Sequence, residues 1–302
     1  MPRGPNLPRM ADYLLYQAYG SPAILDEALF SILSYLRQNS GATVVVYTDN
    51  PAHFQAVLGG AAIRYHRVEP AQWREWRGEI DFVHRVKIKV LQHAATHYAG
   101  NLLYADTDTV FLKPPGEIFA AIARQERFVH VGEGRLRDGN PLNRKINRTL
   151  RRDAGHTALV GGPIRPDARM YNAGVLGFRS SDAPLLAEVL RLTEQLYRLY
   201  PKHVMEQLAF SVVWARSGVV REAAPWVYHY WNLKEIRPVL GELFTGKPGQ
   251  PLAAWQARAA GLDVPALAEE KARFRQRPGW QRAVLRWTGR GWLLPPIELP
   301  AP

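Results

Sequence analysis

Asp106 and Asp108 flank a single threonine directly after the apolar run NLLYA at 101–105. Two carboxylates at this spacing reach one hard cation together if the chain turns as it leaves a strand, and a divalent metal held so keeps positions open for phosphate oxygens. The apolar run VFL at 110–112 resumes at once, so the pair lies between buried segments. The plainer reading of an isolated D-x-D is a solvated acidic turn. The chain has no cysteine, which excludes disulfides, thiolate metal sites and cysteine nucleophiles and leaves carboxylates, histidines or backbone oxygens to hold any metal. His229 ends the apolar run PWVY, and Lys234 follows five residues later. Asn172-Ala173-Gly174 joins a side-chain amide to two small residues that permit close approach of a ligand, or else marks a strand kinked by glycine. Glu206-Gln207 sets a carboxyl beside an amide. Arg85, Lys87 and Lys89 alternate on one stretch. Tyr19, at the end of the first apolar run, is a candidate to stack on a planar ligand or a core aromatic.

The elements that must position these residues follow from periodicity. YLLYQAY at 13–19, closed by Gly20, reads as a buried strand, and 22–38 carries apolar residues at near-helical spacing. TVVVYTDN is a β-branched strand. Asn50 before Pro51 starts a helix that Gly59 stops. A third strand is expected over 62–68, a helix over 83–98 and a fourth strand over 101–105. Strands alternating with helices imply an α/β fold with a Rossmann-like, mostly parallel sheet and helices on both faces. In such sheets ligands bind beyond the carboxyl ends of the strands, which is where the acidic pair falls. The segment 132–168, rich in Gly, Arg and Asn, has no clear period and reads as a long basic loop. YNAGVLGF at 171–178 reads as one strand, followed by helices near 182–199 and 203–217 and short strands near 218–230. From about 240 the chain mixes prolines, glycines, tryptophans and arginines.

With 302 residues and 47% hydrophobic content, the chain supports a full core, which excludes disorder and small stapled scaffolds. A net charge of +12, from 39 Lys and Arg against 27 Asp and Glu, points to anionic partners such as nucleotide phosphates, nucleic acid or an anionic membrane. No stretch is long and apolar enough to cross a membrane. The start, MPRGPNLPRM, is basic and broken by proline and does not read as a signal peptide. The expected location is cytoplasmic.

LLYADTDTVFLKPPGEIF resembles the D-x-D segment of nucleotide-sugar glycosyltransferases with the GT-A fold, especially family 8 (glycogenin-like and galactosyltransferase-like) and the related family 32. HRVKIKVLQHAATHYAG, MYNAGVLGF, HVMEQLAFSVV and VYHYWNLKE are similar, in order, to the family's basic helix, its N-A-G strand, its acidic-Gln pair and its late His-to-Lys segment. The resemblance spans about residues 11–237, the implied GT-A catalytic domain, and leaves 238–302 as a basic, Trp- and Pro-rich C-terminal extension. It implies a metal-dependent, retaining hexosyltransferase that moves a sugar from a nucleoside diphosphate, UDP favoured, to a glycan, lipid-linked or protein hydroxyl. Asp106, Asp108 and His229 would hold Mn2+ or Mg2+. Lys234 would approach the diphosphate, although the His-to-Lys spacing is one residue shorter than usual and the glycine often found between them is absent. Lys87 or Lys89, with Lys89 preferred, would face the nucleotide, joined by Tyr19, Thr107 and Gly174. Asn172, Glu206 and Gln207 would face the transferred sugar, with glutamate standing where the family carries aspartate.

Two other classes compete. Asp106-Thr107-Asp108-Thr109-Val110 also fits the nucleophile motif of haloacid-dehalogenase-like phosphatases, but the later acidic pair that those enzymes need is missing. A nucleic-acid binder would account for Arg135, Arg137, Arg144, Lys145, Arg148, Arg151 and Arg152, yet no zinc spacing or RNA-recognition signature accompanies them; nucleic acid is not the expected partner. RPGWQRAVLRWTGRGWLL in the extension interleaves arginines with tryptophans. That pattern suits peripheral contact with anionic lipid at the inner membrane face, a glycolipid acceptor included, or a helix packed on the catalytic domain.

Overall fold

The computed structural model describes residues 10–59, 61–153, 158–245 and 249–297. The N-terminal basic stretch before residue 10, residues 154–157 of the basic segment, and 246–248 and 298–302 of the extension lie outside the described residues.

The first half alternates as expected: β1 (Ala11–Gln17), α1 (Pro22–Leu36), β2 (Thr43–Thr48), α2 (Pro51–Leu58), β3 (Ile63–Arg67), α3 (Pro70–Arg77), α4 (Arg85–His97), β4 (Gly100–Ala105) and β5 (Thr109–Phe111). Asn50 caps α2 by accepting from the His53 amide, with Pro51 in the first turn. Helix α3 is not expected from the apolar spacing of the sequence. Pro70 opens it, and Trp73 and Trp76 bury its one apolar face. The chain continues through α5 (Gly116–Ala123), β6 (Arg127–Val129), β7 (Gly132–Arg135), α6 (Pro141–Asp153), β8 (Arg169–Tyr171), β9 (Val175–Arg179), α7 (Ala183–Leu199), α8 (Met205–Ser217), β10 (Val220–Glu222) and β11 (Val227–His229). It ends with α9 (Arg237–Phe244), α10 (Leu252–Ala260), α11 (Val264–Gln276) and α12 (Gly279–Trp287).

Seven strands form one sheet in the order β10-β6-β9-β4-β1-β2-β3. Only β9 runs antiparallel to its neighbours, so the sheet is mostly parallel. Side chains alternate across it, as the two-residue strand period requires. Leu14, Tyr16, Val44, Val46, Leu103 and Ala105 join one core cluster with α1 and α5, while Leu15, Val45, Tyr47, Leu102 and Tyr104 join a second with α4, α7 and α8. Helices therefore cover both faces, the α/β arrangement expected.

Two expectations are corrected. The segment 132–168 is not a loop: it holds strand β7 and the thirteen-residue helix α6. Its inward face is only Leu142, Ile146 and Leu150, mixed with Asn143 and Thr149, so the apolar signal is thin beneath the arginines. YNAGVLGF is not one strand either. The chain breaks at Asn172-Ala173-Gly174 between β8, which pairs with β7, and β9, which pairs with β4 and β6.

The extension is not a free appendage. Leu240, Leu243, Trp255, Ala259, Val264 and Ala268 share the core cluster of α1, and buried Lys271 of α11 pairs with Glu235 and with the Asn232 carbonyl, tying the tail to the segment that carries Lys234. Trp292 packs against the same cluster, while Trp280 and Trp287 of α12 stand in solvent. Among the described residues no helix is long and apolar enough to cross a membrane.

Candidate active site

Strand β4 delivers Asp106-Thr107-Asp108 to the carboxyl end of the sheet, and the turn there is held by backbone. The Asp106 amide donates to the Gly174 carbonyl at 2.7 Å, the Tyr230 amide donates to the Asp108 carbonyl at 2.9 Å, and Thr109 Oγ1 donates to the Asp106 carbonyl at 2.8 Å. Strands β5 and β11 pair antiparallel with Thr109 opposite His229, which brings the imidazole to the acidic pair from 121 residues away. One ligating atom from each of Asp106, Asp108 and His229 lies within 4.8 Å of the others.

The hydrogen bonds around His229 show why this set suits a cation. Its Nδ1 lies 3.0 Å from Asn172 Oδ1, and its Nε2 lies 3.0 Å from Asp108 Oδ1. Asn172 Oδ1 accepts from the Gly174 amide at 2.9 Å, and with the same oxygen accepting from Nδ1 that ring nitrogen carries a hydrogen, which leaves Nε2 to meet the Asp108 carboxylate. A ring nitrogen and a carboxylate oxygen at that distance share a proton or a cation between them. Imidazole with two carboxylates is a donor set for a manganese-like ion. Gly174 makes the arrangement possible: a Cβ there would stand 2.2 Å from His229 Nδ1.

Ammonium groups balance the carboxylates. Lys234 Nζ lies 2.6 Å from Asp108 Oδ2 and 3.4 Å from Glu27 Oε1. Burial alone would raise the Asp108 pKa, but His229 and Lys234 outweigh it and hold the carboxyl well below the usual range. Glu27, buried on α1, also accepts two hydrogen bonds from Arg237 at 3.0 and 3.1 Å. Lys87 Nζ lies 3.1 Å from Asp106 Oδ1, 3.2 Å from Glu206 Oε1 and 3.0 Å from the Ala173 carbonyl. Burial opposes its charge, and Asp106 and Glu206 more than compensate, so its pKa stands above the lysine norm. Burial pushes Glu206 up to about 7, against the opposing pull of Lys87. The Glu206–Lys87 contact is an ion pair without hydrogen-bond geometry, since Glu206 Oε1 has no hydrogen-bond partner.

These groups line a cleft of about 750 Å³. Of the residues singled out from sequence, Tyr19, Lys87, Asp106, Thr107, Asp108, Asn172, Gly174, Glu206, Gln207 and His229 all face it. Lys234 is not in its wall but reaches Asp108. Lys89 stays outside, half-buried on α4. Residues two apart on a helix point about 200° apart, so Lys87 and Lys89 cannot share a face, and the buried one is Lys87. Tyr19 stacks on Trp73 at a ring separation of 4.0 Å, so it is both cleft wall and packed aromatic.

Several site residues carried no usable sequence signal. Glu133 on β7 accepts from Asn172 Nδ2 at 3.1 Å and from Gln207 Nε2 at 2.7 Å, yet it sits in the stretch that reads as a loop. His84 and His203, with ring centroids 6.3 Å apart, close another part of the wall. Burial, then the charge of Lys87, lowers His84 to about 4. Only Glu27 left a trace, as a charged residue inside the apolar helix ILDEALF.

No family model matches the chain, and no curated protein matches it. Solved structures do. The chain is similar to the apo form of mouse xyloside xylosyltransferase 1, at 12% identity and a TM-score of 0.49, over 70% of this chain and 84% of that one. It is similar to an active-site mutant of LgtC, at 14% identity and a TM-score of 0.48, over 78% of this chain and 98% of that one. It is also similar to the apo glycosyltransferase GlyE of Streptococcus pneumoniae, at 11% identity and a TM-score of 0.48, over 87% of this chain and 63% of that one.

Proposed function

We propose that this protein is a metal-dependent, retaining glycosyltransferase that moves a sugar from a nucleoside diphosphate, UDP favoured, to a hydroxyl of a glycan, lipid-linked or protein acceptor. The observation that carries this reading is the convergence of Asp106, Asp108 and His229, with the imidazole Nε2 3.0 Å from Asp108 Oδ1, at the strand ends beside a cleft lined with amides and carboxyls. Mn2+ or Mg2+ held by these three residues would act as a Lewis acid on the donor's diphosphate.

The chain's own groups divide the remaining work. Lys234 leaves Asp108 for a phosphate oxygen of the donor and neutralises charge on the leaving group. Tyr19, stiffened by Trp73 behind it, offers a flat face to the base. Lys87 anchors Asp106 and Glu206 at fixed separation, and Thr107 and Gly174 leave room for the donor. Asn172 and Gln207, oriented by Glu133, present amides to the sugar hydroxyls. Glu206 is the carboxyl available for a double displacement. Its carboxyl is held by the Lys87 ammonium 3.2 Å away, and that ion pair opposes its release for attack on the sugar, which favours front-face attack with the leaving phosphate taking the acceptor's proton. In this reading residues 11–237 carry catalysis, the extension buttresses the Lys234 segment, and exposed Trp280 and Trp287 with Arg282 and Arg286 contact an anionic membrane from the cytoplasmic side.

The test is Mn2+-dependent hydrolysis across UDP- and GDP-sugars, with Asp108→Ala alongside. At least one donor is hydrolysed, and the variant is slower by about 100-fold or more. Hydrolysis of no donor, or equal rates, overturns the reading.

A further inference from the structure

We infer that the acceptor is an anionic glycan, bearing phosphate or carboxylate groups, whose chain lies along the exposed face of α6. This rests on the glycosyl-transfer reading of the cleft. Arg144, Arg148 and Arg151 fall at i, i+4 and i+7 of this helix, and all three are exposed. That spacing gives one guanidinium per turn, about 5 Å apart along a stripe roughly 10 Å long. Lys145 borders the stripe with its ammonium 5.7 Å from the Tyr200 ring.

Two features mark this stripe. Some exposed arginines elsewhere are paired, Arg67 with Glu69 at 3.0 Å, Arg124 with Glu126 at 2.9 Å and Arg165 with Asp167 at 3.2 Å, whereas others among the described residues, such as Arg64 and Arg74, stand singly; three in a row on one helix face is what differs here. Among the described residues, Arg144, Arg148 and Arg151 have no carboxylate partner, and the helix contains no acid before Asp153. The stripe also begins at the cleft. Asn140 and Leu142 belong to the cleft wall, and Asn143 Nδ2 donates to the carbonyl of Glu133 at 3.0 Å. Asn140 lies one turn before Arg144, whose amide donates to its carbonyl at 3.1 Å, so an acceptor chain that leaves the cleft past Asn140 runs onto the guanidinium row.

The side-chain chemistry selects a glycan over a bilayer. Guanidinium groups bind phosphate and carboxylate in a bidentate fork. Over 141–152 the exposed residues of α6 are arginine, lysine and one proline, with none of the large apolar side chains that seat a helix in lipid.

The experiment uses the full chain and the triple variant Arg144→Gln, Arg148→Gln, Arg151→Gln. Binding of oligogalacturonate, neutral maltoheptaose and phosphatidylglycerol vesicles is titrated at low and moderate salt, with acceptor-independent donor hydrolysis measured in parallel. The wild-type protein binds oligogalacturonate at least about tenfold tighter than maltoheptaose. The variant loses that preference and its salt dependence, while donor hydrolysis is unchanged. Equal binding of charged and neutral oligosaccharides, an unaltered variant, or a loss confined to vesicle binding overturns the inference while donor hydrolysis still supports the transfer reading. Absence of donor hydrolysis in the wild-type protein overturns both.

Discussion

Gly174→Ala tests whether the metal group depends on backbone proximity. The added Cβ stands 2.2 Å from His229 Nδ1 and 2.3 Å from Cε1. Ordinary contact begins at 3.4 Å, so the ring must retreat by about 1.2 Å, several times the ~0.2 Å tolerance on a metal–ligand distance. The ring cannot absorb this by turning, because its Nδ1 is bonded to Asn172 Oδ1 and its backbone is fixed in the β5–β11 pair. Overpacking of this kind costs about 1–3 kcal/mol, which a protein of this size survives. Loss of ligand alignment weakens metal binding by about 10- to 100-fold. The assay is Mn2+ titration followed by the electron paramagnetic resonance signal of the free ion, with circular dichroism and thermal melting to confirm the fold. Asn172→Ala, which removes the Nδ1 acceptor without a clash, shows a smaller loss in the same direction. Unchanged Mn2+ affinity in a folded Gly174→Ala protein refutes the argument.

Three further outcomes are expected. Lys234→Ala removes the ammonium that lies 2.6 Å from Asp108 Oδ2, so Mn2+ binds more tightly while the donor KM rises by about tenfold; weaker Mn2+ binding in the variant contradicts the competing role. Burial raises Glu206 from the usual 4.5 to about 7, so the folded protein keeps a proton that the unfolded chain has released, and stability falls as pH rises through that window. Glu206→Gln gains on the wild type from pH 4.5 to 7 in urea melts, and parallel curves speak against it. Burial, with repulsion from His66 and His97, lowers His93 to about 4. The unfolded chain then binds protons first, and stability drains as pH falls from 6.5 through about 4. His93→Gln keeps a partner for the Tyr47 hydroxyl, which lies 2.9 Å from His93 Nδ1, and melts with a shallower acid slope. An identical slope rules out this origin.

The amino-acid order by itself determined the α/β alternation, because β-branched runs and near-helical apolar spacing are local properties of the chain. It also determined that Asp106 and Asp108 emerge together at a strand end, since one residue between them is a covalent fact. What only the tertiary structure decided was which distant groups meet them. Two lysines at i and i+2 look equivalent in a list of letters, yet burial of one helix face makes Lys87 the neighbour of Asp106 and leaves Lys89 aside. Helix α6 was hidden because its inward face mixes apolar with small polar residues under a row of arginines. Glu133 and Glu27 became site residues through contacts with side chains 39 to 210 positions away. Periodicity reports which face of an element is buried, but it holds no term for what lies on the other side of that face.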